Sequence, residues 1–285
     1  MFIKKIKTLS AKKQHLTKDQ DQALQYWRSE KQWYHSFLCS GVVHASQMIM
    51  NHWNTLTFDG KERWDAIFDD RKSRNDNTVE RVGILSFSNH VSLFDDPLLV
   101  SNLGLSHYHD VRWIAADSKN FFGNNLKGLI YSAGKCVPII RGGGLEQRGF
   151  DFLVERLRMG DWVHIFPEGG RTREFEGQLQ LPFKIGIGKL IYEARPLLMP
   201  FYHYGMHEVL PIGNMIPNRG KKVQIKFGEA HCVDDNWWFQ RLGTRIQAVE
   251  PRFAWQRATD WTEQMLVQLE QDVHPLCSQK IQHEM

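Results

Sequence analysis

Cysteine is scarce in this chain: Cys39, Cys136, Cys232 and Cys277 are the only four in 285 residues, and no two stand in a Cys-x-x-Cys spacing. That excludes a zinc cluster and a disulfide framework, leaving burial alone to hold the core, which a chain of this length can manage. No run approaches the ~20 apolar residues that a membrane-crossing helix needs. The longest candidate, Phe37 to Met50, is interrupted by His44, Ser46 and Gln47. There is no Gly-x4-Gly-Lys-Ser/Thr for nucleoside phosphates and no Gly-x-Ser-x-Gly elbow for a serine hydrolase. Gly142-Gly143-Gly144 is not a dinucleotide fingerprint, because the third required glycine would fall at Gln147. His107 and His109 are close together but have no third ligand nearby, so no metal is expected. Lysines scattered without an aromatic-laced basic repeat argue against nucleic acid. Repeats and low-complexity segments are absent as well.

What stands out instead is Asn89-His90-Val91-Ser92-Leu93-Phe94-Asp95. Five residues along an α-helix turn through about 500°, which leaves two side chains roughly 140° apart, so His90 and Asp95 can meet only across a turn. The flanks supply one. Val82 to Phe87 is a short apolar run of strand type, and Asp96-Pro97 reads as a helix N-cap followed by proline at the first helical position. A histidine oriented by a carboxylate is fixed in one tautomer and becomes a better base, suited to take a proton from an alcohol. Among thirteen histidines roughly one His-x4-Asp pair is expected by chance, so its surroundings must promote it.

Three further segments do so, each at the end of a strand-like run. Lys135 to Ile140 runs into Arg141-Gly142-Gly143-Gly144, Asp161 to Phe166 into Pro167-Glu168-Gly169-Gly170-Arg171-Thr172, and Leu197-Leu198-Met199 into Pro200-Phe201. Ligands of open α/β sheets bind beyond the carboxyl ends of the strands, which makes these residues candidates for one shared site. Arg141 and Arg171 offer planar forks for a phosphate, and the glycines let backbone N–H groups approach it. Glu168 is suited either to hydrogen-bond a glycerol hydroxyl or to hold Arg171. His164 and His203, in apolar runs, read as satisfied core residues, and Cys136 as a small buried hydrophobe.

In this order the four segments resemble the four motifs of the glycerolipid acyltransferase superfamily: His-x4-Asp, a strand ending in arginine, Phe-Pro-Glu-Gly, and a strand bearing proline. Gly134 to Pro138, Gly160 to Gly169 and Gly205 to Pro211 look most like its branch of mitochondrial phospholipid–lysophospholipid transacylases, which remodel cardiolipin. The resemblance spans about residues 36–227. It implies an α/β fold of the glycerol-phosphate acyltransferase type, with a mostly parallel central sheet flanked by helices and an N-terminal membrane-associated helical segment. It implies His90 as general base and Asp95 as its orienting partner. Arg141, Glu168, Gly169 and Arg171 then fall on positions that bind the glycerol-phosphate part of the acceptor, and Lys119 near a lysine beside the acyl carbonyl. Phospholipid and lysophospholipid would be the substrates, with no cofactor or metal. Arg171-Thr172 follows the general superfamily pattern more closely than the transacylase branch. It keeps open an acyl-CoA-dependent lysophospholipid or 1-acylglycerol-3-phosphate acyltransferase, with acyl-CoA as co-substrate. A phospholipase using the same His-Asp pair on water, or a non-catalytic lipid-binding protein, would be the other classes.

The expected organisation is a basic segment over 1–35, an interfacial or re-entrant membrane anchor over 36–54, the acyltransferase domain over 55–232 and a helical extension over 233–285 packed on that domain. Lys4, Lys5, Lys7, Lys12, Lys13 and Lys18 precede the first acid, Asp19, within a net charge of only +4. Such a start fits a mitochondrial address, a contact with anionic lipid, or a solvated tail. The resemblance implies a peripheral or monotopic place on a mitochondrial membrane, facing the intermembrane space. Within the domain, strands are expected at 56–58, 82–87, 111–115 and 223–227, with helices at 62–68, from Pro97, and at 146–159. The polar stretch from Arg71 to Asn77 is expected as an exposed loop. Trp237-Trp238-Phe239 fits either an interfacial anchor or the core.

Overall fold

The computed structural model describes residues 24–73, 81–100, 102–103, 108 and 110–275, with helix α1 at His35–Met48 the first long element. The lysine-rich start, His107, His109 and Cys277 lie outside the described residues. A π-helical turn, Ile49–Trp53, leads from α1 into β1 (Thr55–Asp59) and α2 (Lys61–Ser73). The helix thus claims the first residues of the polar stretch expected as a loop. Then come β2 (Ile84–Phe87), β3 (Trp113–Asp117), α3 (Ser118–Phe121), α4 (Asn125–Ala133), β4 (Cys136–Ile139), α5 (Arg148–Arg158) and β5 (Trp162–Ile165). The chain closes with α6 (Gly186–Ala194), β6 (Leu197–Tyr204), α7 (Met206–Val209), β7 (Lys222–Phe227), β8 (His231–Cys232), α8 (Asp235–Leu242) and α9 (Pro251–Val273).

The strands form one sheet in the order β1-β7-β6-β2-β5-β3-β4, with β8 paired to β6. Pairing is parallel except where β6 meets β7 and β8. β2 sits between β5 and β6, and all four of its residues are buried, the mark of a strand covered on both faces. Alternation divides the core. Leu85, Phe87, Val163, Leu198 and Tyr202 face a cluster with α5, α6 and α9; Ile84, Trp162, Met199 and Phe201 face Trp64, Phe68 and Phe227. Because β2 through β6 run parallel, the loops after β2, β3, β4 and β5 emerge at one edge of the sheet.

Three further expectations about elements change. First, Pro200 and Phe201 lie inside β6 and not beyond its end. The segment after Asp95 is not an α-helix opened by an Asp96 cap but a single π-helical turn, Asp96–Val100. The Asp96 carboxylate is taken by Arg112 in an ion pair in which both side chains are largely buried, and Arg112 also donates to the Gly134 carbonyl at 2.8 Å. Helix α6 was not expected at all. Its glycine-rich start, Gly186-Ile187-Gly188, hides a helix whose Gly188 lets α9 approach: a Cβ there would collide with the Trp255 carbonyl. Ile187, Leu190 and Ile191 are fully buried against that contact. Trp237 and Trp238 are buried, which makes that cluster core, with Phe239 exposed.

Helix α1 buries one stripe, His35, Cys39, Val43 and Ser46, and the π turn continues it with Met50. Trp33, Phe37, Val42 and Met48 are left in solvent. Among the described residues no helix is long and apolar enough to cross a membrane.

Candidate active site

The turn after β2 folds around one carboxylate oxygen. Asp95 Oδ2 accepts the N–H groups of Val91 and Ser92 at 2.6 and 2.8 Å and lies 3.0 Å from His90 Nδ1. Asp95 is 1% exposed. Burial opposes its ionisation, but His203, the His90 hydrogen bond and the Ser92 amide outweigh it and hold the carboxyl below its ordinary value. An ionised Asp95 accepts from Nδ1–H, so a neutral His90 has Nε2 as its bare nitrogen. The ring stacks on Phe166, with centroids 4.1 Å apart, and its side chain is 17% exposed. A base with one nitrogen anchored, one face covered and one edge open is suited to general-base work.

Glu168 arrives from the end of β5. Its Oε1 accepts the His90 N–H at 2.6 Å and its Oε2 the Gln180 N–H at 2.8 Å. Burial pushes this carboxyl up to about 8, against the pull of those two amides. Both oxygens thus hold backbone, one of them that of the base, and among the described residues Glu168 makes no ion pair with Arg171. The Thr172 N–H donates to the His90 carbonyl at 2.7 Å, which ties the two loops together a second time. Gly169, at φ +74°, turns the chain between them, and a Cβ there would press on the Lys184 stem.

The β3 and β4 ends meet at Asp117. Its carboxylate accepts from the Lys119 N–H at 3.0 Å, capping α3, and lies 3.3 Å from Arg141 Nε. A Cβ on Gly170 would stand 3.6 Å from the Arg141 guanidinium, so Arg141 lies along the Gly169–Arg171 turn. Arg141 and Lys119 are exposed and Arg171 half-buried. The structure therefore brings His90, Asp95, Glu168 and Gly169 into direct contact or adjacency and places Arg141 beside them. It links Lys119 to this group through Asp117, while Arg171 follows Gly170 with no ion pair among the described residues.

Three participants escaped the sequence. Asn89 clamps β6 with its amide, donating to the His203 carbonyl at 2.8 Å and accepting the His203 N–H at 3.0 Å. Asp117 was assigned neither its cap on α3 nor its pairing with Arg141. His203, expected as core, lies with Nε2 3.7 Å from Asp95 Oδ2. His164 is core in the ordinary sense, bound through Nδ1 to Ser86 at 2.8 Å.

An apolar cavity of about 120 Å³ opens between α1 and the Asp96–Val100 turn, lined by Leu38, Val42, Val43, Pro97 and Val100 among others. A wider crevice of about 440 Å³ at Arg158, Tyr192 and Arg195 lies by the amino ends of β5 and β6, away from this chemistry.

A family model described as Acyltransferase matches residues 48–204, which contain every residue of the His90 constellation. The chain belongs to this acyltransferase family. Within the family it is of the tafazzin type. It is 31% identical over 72% of its length to Drosophila melanogaster tafazzin and 32% identical over 70% to the Dictyostelium discoideum protein named taffazin. It spans 54% of the fly protein and 74% of the Dictyostelium one. An Arabidopsis thaliana N-acylphosphatidylethanolamine synthase is 31% identical over 52% of this chain and 55% of its own. The fold is shared with the crystal structure of the 1-acyl-sn-glycerophosphate acyltransferase PlsC from Thermotoga maritima, at a TM-score of 0.50 and 16% identity over 85% of this chain and 91% of that one.

Proposed function

We propose that this protein transfers a fatty acyl chain from a phospholipid to the free hydroxyl of a lysophospholipid, and that it remodels mitochondrial phospholipids such as cardiolipin. The arrangement that carries this is the His90 ring, tied through Nδ1 to an ionised, buried Asp95 and open at Nε2. Nε2 takes the hydroxyl proton as the acceptor oxygen bonds to the donor's ester carbonyl carbon. The tetrahedral centre then expels the donor's alkoxide, which receives the proton back from His90. One ester bond forms and one breaks, so the exchange is nearly thermoneutral and needs neither cofactor nor metal. Direct transfer is favoured because the serine hydroxyls of the turn are directed away from the base, Ser88 Oγ donating to the Asn89 carbonyl and Ser92 Oγ to the Leu210 carbonyl.

Arg141 and Arg171 are suited to the acceptor phosphate, and Lys119 to the acyl carbonyl, at the rim of the same edge. The outward side chains of α1 fit a peripheral or monotopic place on one leaflet of a mitochondrial membrane. Purified protein incubated with labelled phospholipid and unlabelled lysophospholipid in vesicles, without CoA, should move label to the acceptor. Label appearing as free fatty acid would replace this reading with hydrolysis. Acyl-CoA as donor is the second reading, favoured by Arg171-Thr172, and would show as transfer only when acyl-CoA is added.

A further inference from the structure

His203 is buried at the centre of the site, yet the exchange of a proton between His90 and the substrate does not use it. Its Nε2 lies 3.1 Å from the carbonyl oxygen of Asn89, which can only accept, so Nε2 carries the proton. Its Nδ1 is buried without a hydrogen-bond partner, as a neutral imidazole permits and an imidazolium does not. The same nitrogen lies 3.7 Å from Asp95 Oδ2, too far for a hydrogen bond but close enough for the positive end of its N–H dipole to act on a charge in a dry interior. The ring cannot wander, because the Asn89 amide grips the His203 backbone through both its N–H and its carbonyl. A buried carboxylate needs compensation, and no lysine or arginine among the described residues pairs with Asp95.

We propose that His203 is a positioning residue for acyl transfer: its fixed Nε2–H dipole holds Asp95 as the carboxylate that anchors His90 Nδ1–H and leaves Nε2 bare, without placing a second cation beside the base. The proposal rests on the acyltransferase reading of the site. The titratable groups around this histidine are His90 and Asp95 on the turn after β2, His164 on β5, His207 on α7 and, beyond Asp95, Glu168. Burial holds His203 itself below its ordinary value, in keeping with a neutral ring. A cationic His203 would compete with His90 for the same carboxylate. A neutral one steadies it.

His203→Phe keeps the size of the ring and removes the dipole; His203→Gln returns an amide N–H near the position of Nε2–H. With phospholipid vesicles and lysophospholipid, the Phe variant should lose about tenfold in kcat with little change in KM. The acid limb of its pH profile, which belongs to the His90–Asp95 pair, should move up by about half a unit or more, because the ionised pair has lost a stabilising dipole. The Gln variant should recover most of both. A Phe variant with the normal pH profile, or a Gln variant as impaired as Phe, overturns the proposal, since a merely structural loss lowers kcat without moving the limb. Nitrogen NMR of the unaltered protein supplies a readout that does not depend on the variants folding. His203 should show protonated Nε2 and bare Nδ1 at neutral pH; an imidazolium or the opposite tautomer there overturns the proposal. If the unaltered protein transferred no acyl group, the transacylase reading would fall by itself, and the NMR tautomer together with the titration of the pair in each variant would still decide the role of His203.

Discussion

Glu168, on the Phe-Pro-Glu-Gly segment after β5, accepts the backbone N–H of His90 at 2.6 Å, so the residue that resembles a substrate ligand in sequence holds the base in place. Both its oxygens face N–H donors, the second from Gln180. Replacing it with glutamine turns an NH2 toward one of those donors. Glu168→Gln should cost about 1–3 kcal/mol of stability and lower acyl transfer, read by urea unfolding and turnover. The cost should depend on pH. Below the ordinary value of 4.5 the carboxyl is protonated folded or unfolded; between there and about 8 only the unfolded chain releases the proton. The stability it contributes is therefore complete at acid pH and lost as pH rises to about 8, and the advantage of the natural protein over the glutamine variant should shrink over that range. An advantage that grew with pH would mean that the two amides outweigh burial.

His90→Ala should abolish transfer by about 10²–10⁴-fold while leaving the fold intact, because a partly exposed side chain on a turn contributes little to the core. Asp95→Asn keeps the shape and should be equal or milder in kcat, though it places an amide N–H near the Val91 or Ser92 donors and lowers the melting temperature as well. Near-normal turnover in His90→Ala would remove the general-base mechanism.

Asp96 separates sequence expectation from structure most sharply. As a helix cap it would be worth roughly 1 kcal/mol, but as the buried partner of Arg112 its loss strands a guanidinium. Asp96→Ala should therefore cost about 3–5 kcal/mol, and Asp96→Ala with Arg112→Leu less than the single change. Denaturant unfolding of the two proteins decides between cap and ion pair.

The strands and the His90–Asp95 contact were legible because they depend on short-range pattern: an all-apolar run marks a strand buried on both faces, and His-x4-Asp next to a strand end needs only a turn. What was not legible depends on partners far along the chain. Asp96 meets Arg112 sixteen residues on, Asn89 meets His203 across 114, and no local feature of Phe201-Tyr202-His203 distinguishes a core histidine from one aimed at Asp95. Helix α6 was missed because Gly186 and Gly188 read as breakers, whereas packing against α9 requires a residue without a side chain at Gly188.

Arg141 is mostly exposed, and its one acidic partner, Asp117, leaves the guanidinium edge free for an anion. Arg141→Ala and Arg171→Ala should raise KM for lysophospholipid more than they weaken vesicle binding, and lysine at either place should rescue only in part, lacking the planar fork. Removing Asp117 should disturb both Arg141 and the α3 cap, so Asp117→Ala should reproduce much of the Arg141 defect. Unchanged acceptor kinetics in both arginine variants would place the phosphate elsewhere.

The two sides of α1 predict interfacial membrane attachment. Its buried stripe packs on the domain, while Phe37 at 80% and Met48 at 55% exposure, with Trp33 at 89% just before the helix, turn outward. Each such side chain contributes on the order of 1.5–3 kcal/mol when it leaves water, so three together should change partitioning by roughly 10³–10⁶-fold. Aspartate at Trp33, Phe37 and Met48 should release the protein from vesicles with its fold and its activity on detergent-dispersed substrate retained. Aspartate at Val43, on the packed side, should destabilise the fold instead. Apolar attachment is insensitive to ionic strength, so high salt should leave the unaltered protein on the vesicles. Complete release by salt alone would assign the attachment to charge and remove α1 as the anchor.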